Sequence, residues 1–436
     1  MQLKSILLEA LRDKVALEFL SDLVKRGPFR GRVFLAGGAP RDMQLGADPK
    51  DLDVVVKGDV NAGIDFATWA AKELGNYKEG SNPVTFPTYG TAKFTLKGVT
   101  YKGHDLSDID VEAVAPRKEK YTPGSRKPQV SGGELEDDVH RRDFTVNSLL
   151  HDLTTGETLD LTGMGKDDIK KGIVRTPLDP DIIFTDDPLR ILRAARFTAK
   201  YNWKLPMFMI RSIKKNAAAL SNISRERIHD EVNKMLLTDY PFKAFRLLQI
   251  LGLMKYCFPS LTNADLTHMK QVKDLKKNLA LRLIATLKGV NPTTIQSEMS
   301  SLKYSTDIIR NVVMVVTKLP DFLSKVNNLA DDELRQYRMD FATYFPYLTA
   351  YASIYVPNAD IDGITQRYEA VSKEMAENPI PVTGADLIAL GLEPGPEFKQ
   401  LLALVKSTYI KNPLTAKAEY LKLVGQAAQS YNKSTK

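Results

Sequence analysis

The chain has 436 residues and a single cysteine, Cys257, so no internal disulfide can form. That absence fits a reducing compartment, and the lone thiol reads as a small buried apolar residue rather than a nucleophile. Histidine is nearly as scarce, with five in all. His151-Asp152 and His229-Asp230 each lack the further His and Asp ligands that a metal-dependent phosphohydrolase would need. Long hydrophobic runs are missing too: the longest aliphatic cluster, Val312 to Val316, is bounded by Asn311 and Thr317-Lys318 and falls far short of the ~20 residues of a membrane span. Residues 1–27 alternate Leu, Ile and Val with charge at helical spacing and have no unbroken apolar centre, which predicts an amphipathic helix rather than a signal peptide. The expectation is a soluble, cytoplasmic protein with no membrane partner. Tandem repeats and long low-complexity tracts are absent. The length exceeds one compact core and points to about three domains or an elongated multi-part architecture. Positive charge is in surplus, at +8 with a pI near 9.1, which favours a polyanionic partner where its location agrees with the chemistry.

The chemistry concentrates between residues 35 and 200. Leu35-Ala-Gly37-Gly38-Ala39-Pro40-Arg41-Asp42 reads as the end of a strand, a tight glycine turn and a helix start at which proline is tolerated. Free amide donors and Arg41 are thereby placed around an anion, most simply a phosphate. Asp51 and Asp53 follow in a Val-rich strand whose period of two puts both carboxylates on one face. Paired carboxylates near phosphates call for a hard cation, Mg²⁺ above all. Further along, Asp110 and Glu112 share a strand face, and either would complete a two-metal site for phosphoryl transfer. The pattern predicts strands at 32–36 and 51–57, helices at 40–45 and 61–74, and strands near 91–96 and 108–115, an α/β unit with a small mixed sheet and helices on one side.

Residues 116–136 carry Arg117, Lys118, Lys120, Arg126 and Lys127 among Pro, Gly and Ser, a composition that builds no core and predicts a mobile basic loop. Arg141-Arg142 could bind a triphosphate or merely solvate a helix. Asp143 beside them is chemically able to accept a ribose hydroxyl. In Thr185-Asp186-Asp187-Pro188-Leu189-Arg190, a Thr185 N-cap, early acids and proline mark a helix start. Asp187, Arg190, Arg193 and Arg196 then recur every three residues as a charged band, opposite Leu192, Ala195 and Phe197. An acid acceptor beside an arginine donor complements the amine and ring-nitrogen edge shared by cytosine and adenine, an edge that uracil and guanine reverse.

Gly37 to Asp42 followed by Asp51-Leu52-Asp53, then Arg141-Arg142-Asp143-Phe144-Thr145-Val146-Asn147 and Asp186-Asp187-x-x-Arg190, resemble the motifs of the class II CCA-adding tRNA nucleotidyltransferases and bacterial poly(A) polymerases. The family usually has Val at the position of Pro40, and many members have Glu at that of Asp186. The resemblance implies an α+β protein: a nucleotidyltransferase head with a small mixed sheet (1–160), then an all-helical neck for base recognition (161–250), body (251–355) and RNA-binding tail (356–436). It implies that Asp51, Asp53 and Glu112 hold Mg²⁺, with Glu112 favoured over Asp110 by counting back from Arg117. Gly37, Gly38, Arg41, Arg142, Asp143, Arg193 and Arg196 would surround the nucleotide, while Asp187 and Arg190 read its base. The basic loop matches a flexible segment that takes part in catalysis in the resembling enzymes. Asp152 to Arg175, with hinge-like Gly163 and Gly172, resembles the link from head to neck. Ser224 to Glu231 resembles the start of the next neck helix, and Thr383 to Leu402 a C-terminal pair of helices split by a Gly/Pro turn. The implied activity is untemplated addition of CMP and AMP from CTP and ATP to the tRNA 3′ end. Its rivals are poly(A) synthesis, addition of CC or A alone, and a non-catalytic RNA-binding relative, which should have lost at least one of the three carboxylates.

Overall fold

A computed structural model describes residues 2–49, 51–120, 129–413 and 415–434. It divides into two compact units, Met1–Lys270 and Gln271–Lys436.

The first unit opens with α1 (Gln2–Arg26), whose described apolar stripe Val15, Ala16, Phe19, Leu20, Leu23 and Val24 is buried. Then follow β1 (Val33–Leu35), α2 (Gly38–Gln44), β2 (Leu52–Val56), α3 (Ala62–Glu73), β3 (Val84–Phe86), β4 (Thr91–Thr95), the hairpin β5 (Thr100–Tyr101) and β6 (His104–Asp105), and β7 (Asp110–Val114). After these come the ribbon β8 (Arg117–Lys120) and β9 (Gln129–Gly132), α4 (Leu135–His140), β10 (Leu150–Asp152) and β11 (Thr158–Leu159). Seven strands form one sheet in the order β11-β10-β1-β2-β7-β4-β3. Only β2 and β7 pair in parallel there, so the sheet is mixed, as expected. Leu52, Val54, Val111 and Ala113 pack with residues of α1 and α3 in the larger core. Gly63 lets α3 approach: a Cβ there would lie 2.8 Å from the Ala113 carbonyl oxygen. On the opposite face Val55 packs with Phe34, Leu135 and Val139, while Asp53 of the same face stays exposed.

Two expectations change in this unit. Residues 117–120 and 129–132 pair as an antiparallel ribbon rather than lying in a structureless loop. Backbone pairing needs no core of its own, and the base is tied down by Gly133 N donating to Pro116 O (3.1 Å) and by the Lys118–Asp137 ion pair (3.5 Å). The expected loop centre, 121–128, lies outside the described residues.

The second change concerns the charged band. After α5 (Gly165–Lys171), a helix α6 (Pro180–Asp186) starts at Pro180 behind an Asp179 cap. Thr185 therefore sits in the last turn of α6, donating to Asp181 O (2.7 Å), and is no N-cap. Asp187-Pro188 breaks the chain into α7 (Leu189–Lys200), where Asp187 Oδ1 accepts the Leu189 amide (3.2 Å). The apolar face of α7, from Leu189 through Leu192 and Ala195 to Phe197, is buried, and Arg190, Arg193 and Arg196 are half-buried. α8 (Met207–Asn216), α9 (Arg225–Leu236) and α10 (Pro241–Ile250) follow.

The second unit contains helices α11 (Leu279–Thr286), α12 (Pro292–Ser301), α13 (Thr306–Lys325), α14 (Asp331–Phe341), α15 (Phe345–Tyr355), α16 (Ile361–Glu377), α17 (Gly384–Ala389), α18 (Pro396–Lys411) and α19 (Lys417–Ser434). Pro320, a residue that ordinarily breaks a helix, lies inside α13. The buried stripe Val312, Val315, Val316, Leu319 and Phe322 runs past it, and its packing outweighs the ~3 kcal/mol helix cost of an interior proline. The expected Gly/Pro turn separates α17 from α18, and Leu387, Leu401, Val405 and Tyr409 close a local core. Among the described residues no helix is long and apolar enough to cross a membrane.

Candidate active site

Gly37 turns the chain between β1 and α2 at φ +70, where side chains are strained, and a Cβ there would lie 3.6 Å from Asp53 Oδ2 and 3.9 Å from Arg142 Nη1. The turn thus brings a carboxylate and a guanidinium together. Asp53 pairs in register with Glu112 across the parallel β2–β7 ladder, so the two side chains share a face. Asp110, the alternative third acid, is occupied: it binds Lys93 Nζ (2.6 Å) and accepts from Thr95 Oγ1 (2.7 Å). Asp51 precedes β2 and lines the same cavity, of ≈ 410 Å³, as Asp53 and Glu112. The Asp53 pKa is pushed up to about 6, first by desolvation and then by the charges of Glu112 and Asp51, against the pull of Arg142. The side chain keeps solvent access. Among the described residues no group of three or more His, Cys, Asp or Glu side chains is gathered closely enough to hold a metal ion by itself. Hard oxygen donors lining one cavity, one of them a carboxylate reluctant to ionise, suit a divalent ion that takes waters and substrate oxygens as its remaining ligands.

A second cavity, of ≈ 500 Å³, adjoins the first, and the two share Asp53. Gly37, Gly38, Arg41, Arg142, Asp143, Asp187, Arg190, Arg193 and Arg196 all line it, so every residue expected around the nucleotide is brought together. Their individual roles divide. Arg142 donates to Asp138 Oδ2 (2.7 Å from Nη2), and Arg141 donates to Asp138 Oδ1 (3.1 Å from Nε). Asp138 is fully buried. Burial alone would raise its pKa, but the Arg142 and Arg141 guanidiniums outweigh that and hold it below the usual carboxylate value.

Two of these residues already have partners within the protein. Asp143 Oδ1 accepts from the Phe144 amide and Asn147 Nδ2 (2.8 Å each), and Oδ2 from Arg193 Nε and Nη2. All four lone-pair directions of the carboxylate are used. Arg41, at 5 % exposure, binds Asp42 and Asn147 and lies 5.0 Å from the Tyr201 ring centroid and 5.4 Å from that of Phe197. Both residues brace the cavity wall.

Asp187 is different. Its oxygens accept from the Leu189 amide and from Arg227 Nη2 (2.8 Å), which leaves room for a ligand donor. Arg190 makes one long hydrogen bond among the described residues, 3.5 Å to Ile183 O, and keeps its other donors available. Arg196 donates to buried Glu231 (2.6 Å) and Arg193 lies 3.7 Å from it.

Sequence reasoning missed Asp138, Asn147, Arg227 and Glu231 as site residues. Asp138 was legible in principle, because it stands three and four residues before the arginine pair at helical ion-pair spacing. Arg227 and Glu231 meet α7 only through tertiary packing.

Three family models match the chain in succession: "Poly A polymerase head domain" over residues 33–175, "Probable RNA and SrmB- binding site of polymerase A" over 209–265, and "tRNA nucleotidyltransferase domain 2 putative" over 271–424. The chain is 36 % identical over 220 residues to the mitochondrial CCA tRNA nucleotidyltransferase of Saccharomyces cerevisiae, a match covering 49 % of this chain but only 40 % of the yeast enzyme. It is 27 % identical to tRNA nucleotidyltransferase cca1 of Schizosaccharomyces pombe, over 90 % of both chains. The fold matches a Bacillus stearothermophilus CCA-adding enzyme solved in complex with CTP, with a TM-score of 0.68 at 20 % identity, over 92 % of this chain and 94 % of that one. On the matched head, RNA-binding and second domains, and on a sheet that seats the motif residues around two adjoining cavities, the chain belongs to the family of class II CCA-adding tRNA nucleotidyltransferases and bacterial poly(A) polymerases.

Proposed function

We propose that the chain adds CMP and AMP to the 3′ end of tRNA, using CTP and ATP without a nucleic-acid template. The observation that carries this reading is the sharing of Asp53 by a carboxylate cavity and an arginine-lined cavity. A nucleotide in the arginine cavity presents its α-phosphate where the two meet. The RNA 3′-oxygen then forms a bond to that phosphorus, the bond from phosphorus to the bridging oxygen breaks, and pyrophosphate leaves.

Family membership implies a divalent metal, and we assign Mg²⁺ to Asp51, Asp53 and Glu112. When bound, the ions supply a lowered hydroxyl pKa and stabilisation of charge on the transferring phosphorus. The engagement of Asp110 with Lys93 supports Glu112 as the third ligand. Arg142, Arg193 and Arg196, each anchored by a buried carboxylate, present fixed positive charge to the triphosphate without having to be ordered at the moment of binding. Gly37 and Gly38 border that cavity with backbone, and Arg41 and Asp143 act as positioning residues.

Asp187 accepts the exocyclic amine of cytosine or adenine, and Arg190 donates to the adjacent ring nitrogen. Uracil and guanine set donor against donor and acceptor against acceptor there. The division into head, neck, body and RNA-binding tail at 160, 250 and 355 belongs to the same proposal, as does a cytoplasmic location.

Incubation with a tRNA lacking its CCA end tests the reading, with CTP and ATP supplied separately and together. The expected products are CC from CTP alone and CCA from both. A long A tail from ATP alone would make the chain a poly(A) polymerase, and CC or A as the sole product would make it a partial adder.

A further inference from the structure

The arginine cavity accounts for the nucleotide, but nothing described so far holds the RNA end that must meet it at Asp53. The sheet continues from that carboxylate in register: Asp53 pairs with Glu112, Glu112 with Lys93, and Lys93 with Val84. The next row runs from Val55 through Val114 and Thr91 to Phe86. Directly paired residues point to the same face, so the carboxylate face leads straight to β3, one of the two edge strands of the sheet among the described residues.

There Val84 is 40 % and Phe86 48 % exposed, with Tyr89 just beyond at 42 %. Large apolar side chains on an open edge are what proteins ordinarily suppress, and a cluster of them marks a contact surface. Lys93 stands between the edge and Glu112, half exposed and ion-paired with Asp110, and lines the carboxylate cavity together with Arg12, itself paired with Asp108. Three strand spacings separate β2 from β3, about 14 Å, or roughly four stacked nucleotides at 3.4 Å each.

We propose that the β3–β4 edge is the docking surface for the single-stranded 3′ end of the RNA substrate, whose bases stack on Phe86 and Tyr89 while its terminal phosphate meets Lys93. This rests on the proposed function and supplies its second subsite. Aromatic faces beside a cation on one surface match the alternation of bases and phosphates in a single strand. Continuity with the carboxylate face favours RNA over a second copy of the chain, because a strand lying here ends at Asp53.

The test compares the full-length enzyme with Phe86→Ala and Phe86→Trp. Phe86→Ala should raise KM for a tRNA lacking CCA about ten-fold and leave KM for CTP unchanged, and Phe86→Trp should restore the wild-type value. A readout independent of catalysis uses the same RNA carrying 2-aminopurine at its 3′ end, with no nucleotide present. Wild type should quench the fluorophore and Phe86→Ala should not. The inference is overturned if both KM values rise together, if Phe86→Ala combined with Tyr89→Ala changes neither KM nor quenching, or if sedimentation shows a dimer that Phe86→Ala converts to monomer. Quenching by a wild-type enzyme that adds no CMP would sink the proposed function while leaving this surface in place.

Discussion

Replacing Asp53 by Asn separates what the carboxylate costs the fold from what it does in the site. Its pKa of about 6 lies above the ~3.9 of an unfolded aspartate. The folded chain therefore binds more protons than the unfolded chain between about pH 4 and pH 6, and stability falls as the pH rises through that window. Above it the full penalty is present. Two pKa units would amount to about 3 kcal/mol, but Asp53 keeps solvent access, and screening reduces this to about 1 kcal/mol. Without divalent metal at neutral pH, Asp53→Asn should therefore melt roughly 2 °C above wild type for a unit of this size. The difference should shrink towards pH 4. Added Mg²⁺ should raise the wild-type melting temperature and move the mutant much less, because the ion relieves the crowding that Asn has already removed. Incorporation of labelled CMP should vanish in the mutant. The assay is a pair of thermal melts, with chelator and with Mg²⁺, beside a turnover measurement on the same samples. A mutant less stable than wild type in chelator would refute the electrostatic argument, and near-normal turnover in a folded mutant would remove Asp53 from the site.

Asp138→Asn should raise KM for CTP and ATP together, about ten-fold, since it loosens the charge-assisted bonds that aim Arg142. Steady-state kinetics check this, and an unchanged KM would reduce Asp138 to a packing role. Cys257 is fully buried and its thiol is pushed up to about 12 by desolvation, so a thiol reagent should leave it unlabelled in the native protein and label it after denaturation; rapid native labelling would contradict its placement.

What could be read from the sequence was what local periodicity and short spacing encode. Strands alternating around Asp53 and Glu112, the glycine turn and the charged face of α7 all follow from periods of two and 3.6, and they appear in the structure where that patterning put them. The start of the charged helix was misplaced because Thr185-Asp186-Asp187-Pro188 carries good capping chemistry. Asp179-Pro180 carries equally good chemistry six residues earlier, and α6 begins there. Asp143 and Arg41 were read as ligands for substrate because their side chains can bind it. That Arg193 and Asn147 already fill those bonds depends on α7 and the turn after α4 meeting in three dimensions, which no single segment reports. The same holds for Arg227 on Asp187 and Glu231 behind Arg196, contacts between residues 35 or more positions apart in the chain. Pro320 inside α13 shows the converse, a local breaker overruled by a buried stripe.

Under the proposed function a protein side chain, and no nucleic acid, selects the nucleotide. The most direct test is kcat/KM for CTP, ATP, UTP and GTP in wild type, Asp187→Ala and Arg196→Ala. An unpaired polar group in a closed site costs on the order of 1–3 kcal/mol, so loss of the Asp187 acceptor should depress CTP and ATP use about ten-fold or more and narrow their lead over UTP. Arg196, anchored on Glu231 away from the Asp187–Arg190 pair, should weaken all four nucleotides evenly. If Asp187→Ala leaves the ranking of the four nucleotides unchanged, α7 is not the template and its arginine band is only a charged wall.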